Sequence, residues 1–395
     1  MNGLIRKLMP KKMASSLGEY SLTEKNSNSR IDWILFFATL PLLGAGLLTM
    51  NSFTGDTQFF TKQLIWIIIS ISVFFGLCFM DFRFLRKTWV SVVLFLVSCI
   101  LLGSLYVVGQ VSHGALSWFD FGFFSFQPAD SIKLVIIIIL AKYFSRRHIE
   151  IANIRHIFVS GLYALIIFLL ILVQPDFGSA IIIFLIWLGM VLVSGISKKH
   201  LLLMFVLGIL VFGGLWGFVF KDYQKARISS FIYPLTDLHG TGYNAYQSAI
   251  AVGSGQFWGK GVGYGTQSRL KFLPEYQTDF VFAAFAEEWG FIGVIILFLM
   301  YGIIVWRIIR IAMRGETNFE MLFGAGIAIF LIVHFFINIG MNIQLLPVTG
   351  QTLPFVSYGG THLLTEFIGL GILMGMRRNS RVAHKDSSKN EFLGA

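Results

Sequence analysis

The groups best placed to do chemistry lie where a polar loop meets an apolar helix, at Gly259–Gly293, GKGVGYGTQSRLKFLPEYQTDFVFAAFAEEWGFIG. Asp279 stands at that junction. A carboxylate at a membrane boundary can act as a general base when it is ionised and held against a hydroxyl. Asp is also a good helix N-cap, and both readings of Asp279 stand at this point. Glu275, four residues earlier and after Pro274, is the rival base, less firmly held because it lies in the loop. Asp279, Ala283, Ala286, Gly290 and Gly293 fall within about 40° of one direction on a wheel of ~100° per residue, so the carboxylate tops a stripe of small residues. Glu287 and Glu288 follow ~12 Å or more along the same helix and read as structural pairs rather than a proton relay.

Other polar clusters interrupt the apolar runs. Ser125–Lys133, SFQPADSIK, brings Gln127, Asp130 and Lys133, a little after Trp118. Gln174–Gly178, QPDFG, brings Asp176, and the segment ahead of Gly259 brings Arg227. Gln267, Ser268 and Thr278 lie inside the Gly259 stretch; LPVTG at Leu346–Gly350 and LPFVSYGG at Leu353–Gly360 add Ser357 and Tyr358. Pro and Gly at span ends free backbone groups to line a polar cavity, whereas each taken singly reads as capping or turning.

The elements that must position these groups are membrane helices. Hydrophobic residues make up 56% of the 395, Phe occurs 41 times, and charged residues are only 13%, too few to cover a soluble protein of this length. The apolar runs are continuous rather than alternating, which excludes a β-barrel and leaves an all-α polytopic integral membrane protein. Ten segments approach the ~20 residues a span requires, at roughly 31–50, 62–80, 88–108, 131–144, 156–173, 178–195, 200–220, 279–305, 321–343 and 352–376. The expected organisation is a basic segment 1–30, a ten-helix membrane domain 31–376 and a basic tail 377–395, with one large loop, 221–278, between spans seven and eight. Residues 1–30 lack the apolar core of a cleavable signal, so the first span should be an uncleaved anchor. Cys78 and Cys99 sit inside apolar runs and read as inert packing residues.

Lys and Arg orient the bundle. With the N-terminus inside, 23 of the 31 fall in 1–30 and the alternate loops and tail at 81–87, 142–155, 198–199, 307–314 and 377–389. The short outer loops 51–61, 109–130, 174–177 and 344–351 contain none. Both termini are therefore expected in the cytoplasm, 221–278 outside, and most of the net charge of +11 against anionic inner-leaflet lipid rather than nucleic acid. Soluble-enzyme motifs are absent: Gly261-x-Gly263-x-Gly265 lacks a strand–turn–helix setting, and Gly259-Lys260 is followed by Gly261 rather than Ser or Thr. No HExxH or paired histidine spacing occurs, and His334 and His362 read as hydrogen-bonded packing residues.

Four motifs together resemble the SEDS family (shape, elongation, division and sporulation), over essentially residues 31–380: FQPADSIKL at Phe126–Leu134, QPDFGSA at Gln174–Ala180, GKGVGYGTQSRLKFLPEYQTDF at Gly259–Phe280, and LPFVSYGGT at Leu353–Thr361. TQSRLKFLPE is more like the RodA (elongation) branch than the FtsW (division) branch. The resemblance implies a peptidoglycan glycosyltransferase of the bacterial cytoplasmic membrane that polymerises lipid II at its outer face for elongation and shape. It also implies Asp279 as the catalytic acidic residue, an outer cavity with an essential Lys133, and a class B penicillin-binding protein as transpeptidase partner. Departures from the family pattern are Ser117 for Arg before Trp118, Ala129-Asp130 for Ser-Glu, Gln277 for His and Thr361-His362 for Ser-Ser.

Polymerisation needs a base for the attacking 4-hydroxyl and positive charge for the departing pyrophosphate. Asp279 suits the first; Lys133, Arg227 and Lys260 are candidates for the second, with a divalent cation as a candidate cofactor that no ligand spacing supports. Gln127, Asp130, Trp118, Asp176, Gln267, Ser268, Glu275, Thr278, Ser357 and Tyr358 complete the substrate-binding candidates. The lipid-linked glycan and bilayer lipid are the other expected partners. The alternatives are an FtsW-like division polymerase, a polyprenyl-lipid flippase or transporter, and a non-catalytic scaffold. The charge count makes one prediction. An impermeant maleimide applied to intact spheroplasts should label a cysteine placed at Asn244 and spare one at Ser388; the reverse pattern would overturn the orientation.

Overall fold

The computed structural model describes residues 31–51, 58–112, 115–122, 124–145, 154–195, 199–202, scattered positions in 206–231, 241–270, 272–273 and 275–392. The expected seventh span, 200–220, falls mainly outside these residues, as do Arg227 and Lys271. Helices α1 (Trp33–Asn51), α2 (Gln58–Cys78) and α3 (Thr88–Val108) lead into three short strands, β1 (Gln110–Ser112), β2 (Ala115–Asp120) and β3 (Ser125–Phe126). Then come α4 (Pro128–Ser145), α5 (Ile154–Val173), α6 (Phe177–Val193), α7 (Thr241–Ser254), α8 (Thr266–Arg269), α9 (Val281–Ala312), α10 (Asn318–Asn342) and α11 (Gly360–Phe392). Among the described residues, six helices are long and apolar enough to cross a membrane. The fold is that of an all-α polytopic membrane protein: α9 packs against α1 and α10, α11 against α2, and α4 against α10 and α6.

Three expected boundaries change. The segment 109–130 is not plain loop, because β1–β2–β3 form a small antiparallel sheet within it. Helix α4 begins at Pro128 rather than 131, since Pro suits the first helical turn where its missing N–H costs nothing. The last helix begins at Gly360 rather than 352. The chain before it folds back on itself, burying Leu353, Phe355 and Val356 and spending the Leu353 amide on Ser357 Oγ at 2.8 Å.

The largest correction concerns the expected continuous helix 279–305. Helix α9 is two helices, 281–289 and 291–312, joined at Gly290 with φ 64° and ψ −166°. A break inside an apolar bundle leaves amides and carbonyls that must find partners within the protein. They find them in the chain just after α7. Lys260 N–H donates to Glu287 O and Gly261 N–H to Glu288 O, both at 3.0 Å; Phe291 N–H donates to Gln256 O at 2.9 Å and Ile292 N–H to Phe257 O at 3.3 Å. The two backbones touch so closely that a Cβ on Gly290 would lie 2.2 Å from Gly259 N. The small-residue stripe read from the wheel therefore ends at the break.

The opposite end of the bundle is tied by charge. Buried Asp32 accepts from Arg307 Nη2 at 2.5 Å and Arg377 Nη1 at 2.9 Å, joining the start of α1 to the last turns of α9 and the middle of α11. Gly324 and Gly326 face inward, against Ala312 and Ile137 respectively, and so serve packing within the bundle. The break predicts a contrast between two glycines of α9. Gly290→Ala meets both a positive φ and a backbone clash, and should lower thermal stability by about 2 kcal/mol or more. Gly302→Ala, with open space around its Cβ, should leave the melting temperature of purified protein near that of wild type.

Candidate active site

Asp279 lies in a turn, one residue before the α9 N-cap, which is Phe280. The helix is capped instead from α10: Asn342 Oδ1 accepts the Ala283 N–H at 3.1 Å. Three consecutive carbonyls of the Gln277–Thr278–Asp279 run are each pinned from elsewhere. Tyr358 N–H donates to Gln277 O at 2.8 Å and Ser357 Oγ–H to Thr278 O at 2.6 Å. Asp279 O receives two side-chain amides, Asn338 Nδ2 at 2.9 Å and Asn342 Nδ2 at 3.0 Å. The half-buried carboxylate lies beside Gly350, whose φ is +70° and whose added Cβ would stand 3.4 Å from Asp279 Oδ2. The backbone that carries this carboxylate is held in one place, which is what a positioned proton acceptor needs.

Glu275 is exposed and has φ +51°. It accepts the Thr278 hydroxyl at 3.2 Å on its carboxylate and 3.3 Å on its carbonyl, so Glu275 and Thr278 form one turn leading into Asp279. Ser357 and Tyr358 are held from α2: Gln63 Nε2 donates to Ser357 O at 3.2 Å, and Gly359 N–H to Gln63 Oε1 at 3.4 Å. Tyr358 packs edge-on against Phe59, and burial raises its phenol above the usual range, keeping it neutral.

Lys133 occupies a different setting from the open cavity expected of it. Its side chain is 1% exposed and ion-paired with Asp130 at 2.9 Å, with Gln351 Oε1 3.4 Å away. Asp130 also receives Thr361 Oγ1 and His362 Nδ1, each at 3.3 Å, and His362 Nε2 lies 2.9 Å from Glu366 Oε1. His334 packs against His362 with centroids 4.5 Å apart and rings tilted by 40°. A buried charge is tolerated only when paired in this way. The two histidines are thus buried and hydrogen-bonded, as the sequence suggested, with His362 inside an ionic network and His334 reaching Thr352 O at 3.4 Å.

Lys260 is likewise committed. It meets buried Glu287 at 2.7 Å, and the same carboxylate takes Thr266 N–H, Thr266 Oγ–H, Gln267 N–H and Ser254 Oγ–H. Glu288 accepts Gly263 N–H at 2.6 Å. The two glutamates therefore hold the glycine-rich loop and α8 against the upper half of α9. On α8 Gln267 Oε1 and the buried Ser268 hydroxyl have no hydrogen-bond partner among the described residues. Elsewhere Gln127 Nε2 donates to Asp176 Oδ2 at 3.2 Å, and Asp176 caps α6 through Ser179 N–H at 3.0 Å. Trp118 and the buried Ser117 lie on β2. Among the described residues no three His, Cys, Asp or Glu side chains converge as a metal site.

Sequence reasoning overlooked Asn338, Asn342 and Gln351, the residues that fix Asp279 and reach toward Lys133. A signal existed: His334, Asn338 and Asn342 recur every fourth position in an otherwise apolar run, one polar face of α10.

Residues 31–382 match the family model for the cell cycle proteins FtsW, RodA and SpoVE. The peptidoglycan glycosyltransferase MrdB of Escherichia coli K12 is 37% identical over 295 residues, covering 74% of this chain and 79% of that protein. The stage V sporulation protein E of Bacillus subtilis is 36% identical over 365 residues, 89% of this chain and 98% of that one. Among solved structures, a chain of a peptidoglycan synthase complex that coordinates polymerization and crosslinking superposes with a TM-score of 0.76 at 30% identity, covering 88% of this chain and 98% of that one. The rod shape determining protein RodA of Thermus thermophilus gives 0.66 at 28%, covering 88% and 97%.

Proposed function

This chain belongs to the FtsW, RodA and SpoVE family, and from that premise we propose that it is a peptidoglycan glycosyltransferase that polymerises lipid II for cell elongation, with Asp279 as general base. The observation that carries the assignment is the anchorage of Asp279, whose peptide is fixed by Asn338 and Asn342 while its carboxylate lies beside Gly350. In this reading ionised Asp279 takes the proton of the 4-hydroxyl of one lipid-linked disaccharide as that oxygen attacks the anomeric carbon of the other glycan. The anomeric C–O bond breaks, and its electron pair leaves on the polyprenyl pyrophosphate. Lys133 and Lys260, with Arg227, supply the opposing charge. Lys133 and Lys260 each hold a carboxylate in the resting protein, so the pyrophosphate competes with Asp130 and Glu287 for them. An apolar groove of about 230 Å³, lined by Val252, Phe282, Phe291 and Ile339 beside the break in α9, suits a polyprenyl chain that stays in the bilayer.

The protein would act in the bacterial cytoplasmic membrane with both termini in the cytoplasm, as the charge distribution supports. A class B penicillin-binding protein is the proposed partner. The likeness to a chain of a synthase complex supports that pairing. A shallow apolar groove on the lower half of α9, from Ile295 to Trp306 and open over Gly302, is a surface its single span could fit.

Purified protein supplied with lipid II should make glycan polymer, and Asp279→Asn, which keeps shape and removes the base, should lower polymer formation by ~10²–10⁴-fold while lipid II still binds. Glu275→Gln should cost less. Near-normal polymerisation by Asp279→Asn together with loss in Glu275→Gln would transfer the role to Glu275. Lys133→Ala should lower turnover at saturating lipid II as well as affinity, because charge accumulates on the leaving group in the transition state. Turnover at the wild-type rate in that variant would reduce Lys133 to a structural cation.

A further inference from the structure

We propose that Asn338 and Gln351 are positioning residues for polymerisation, a two-residue bridge that keeps Asp279 in register with Lys133. The proposal rests on Asp279 being the base. Asn338 is 0% exposed, and its amide has two hydrogens to give. One goes to Asp279 O at 2.9 Å and the other to Gln351 O at 2.7 Å. The side chain of Gln351, itself 5% exposed, turns the other way and accepts from Lys133 Nζ at 3.4 Å. The base on the turn before α9 and the cation on α4 are thus connected through one residue of α10 and one of the 343–359 segment. Asn342, one turn further along, doubles the hold on Asp279 O and accepts Ala283 N–H and the Ser248 hydroxyl. With both lone pairs of its carbonyl taken, the Asp279 peptide cannot rotate without breaking two buried hydrogen bonds.

Asn338 is fully buried and spends both amide hydrogens on backbone carbonyls, so the side chain acts through Asp279. Removing it should misplace the carboxylate without altering what binds lipid II. A misplacement of about 1 Å can cost roughly a hundredfold in rate.

The experiment compares steady-state polymerisation by Asn338→Leu, Asn338→Asp and Gln351→Leu, each checked for folding by its melting temperature. Asn338→Leu and Asn338→Asp should both lose roughly tenfold to a hundredfold in kcat with KM for lipid II little changed. The Asp variant should fare no better despite its matching shape, because an ionised carboxylate donates nothing to either carbonyl. Gln351→Leu leaves every Asn338 bond in place and cuts only the reach to Lys133; it should lower kcat by a smaller factor. Combining Gln351→Leu with Asn338→Leu should add little to the loss of Asn338→Leu alone, since both interrupt one bridge. A folded Asn338→Leu protein with wild-type kcat would overturn the inference and leave the polymerase assignment standing. Should the Asn338 variants fail to fold, wild-type kcat in Gln351→Leu would overturn the bridge by itself. Folded wild-type protein that binds lipid II and makes no polymer would overturn the assignment and the inference together.

Discussion

A backbone polar group without a partner in an apolar bundle costs several kcal/mol, and that constraint governs how this protein can hold a reactive carboxylate. The upper half of α9 carries Asp279 just ahead of it and ends at Gly290. Interrupting the helix there releases carbonyls above and amides below. Residues 256–261 answer both sets in one pass, with four backbone hydrogen bonds across the gap. Glu287 and Glu288 then bind the following loop to the same short helix. The result is a brief, rigid carrier for Asp279, fastened at its base by residues 254–267 and at its top by α10.

The buried charges obey a related rule. Removing one partner from a buried ion pair costs about 3–5 kcal/mol, because the survivor has no water to turn to. Lys133 and Asp130 are each below 5% exposed and answer one another, while His362 lies between Asp130 and Glu366. Glu366 in turn accepts the amide of Phe355, which has φ +61°. The folded-back chain that supplies Gln351, Ser357 and Tyr358 is thus supported from below by the same network that neutralises Lys133. Charge balance and placement of the turn that carries Asp279 are one problem here, solved by one set of side chains.

The class of fold was plain in the sequence because lipid demands long apolar helices, and the motif residues were plain because Asp, Pro and Gly are costly in such a setting. The pairings were not. Gln63 reaches Ser357 across 294 residues of chain and Asn342 reaches Asp279 across 63; no local periodicity encodes either. The break in α9 was hidden because Gly290 fits a small-residue stripe as well as a hinge, and only the approach of Gly259 tells them apart. The fold-back before α11 was missed because its residues are as apolar as those of the helix itself. Lys133 could be assigned importance from its cost in a membrane, and Asp130, three residues earlier on the same helix, is a local partner; Gln351 and His362, which join the pair from two other segments, were not legible.

The stitched helix also sets an order of events during synthesis. Residues 254–267 leave the ribosome before 281–312, so the strap exists before the helix it must hold. Until the two meet, Glu287 and Glu288 lie unneutralised in a newly inserted apolar segment, against an insertion penalty of about 2.5–3.5 kcal/mol for a central charge. Lys260, Thr266 and Gly263 reach those carboxylates only by folding back beside a helix already in the bilayer. The end of the molecule that carries Asp279 is therefore complete only once residues 254–267 lie beside the inserted helix.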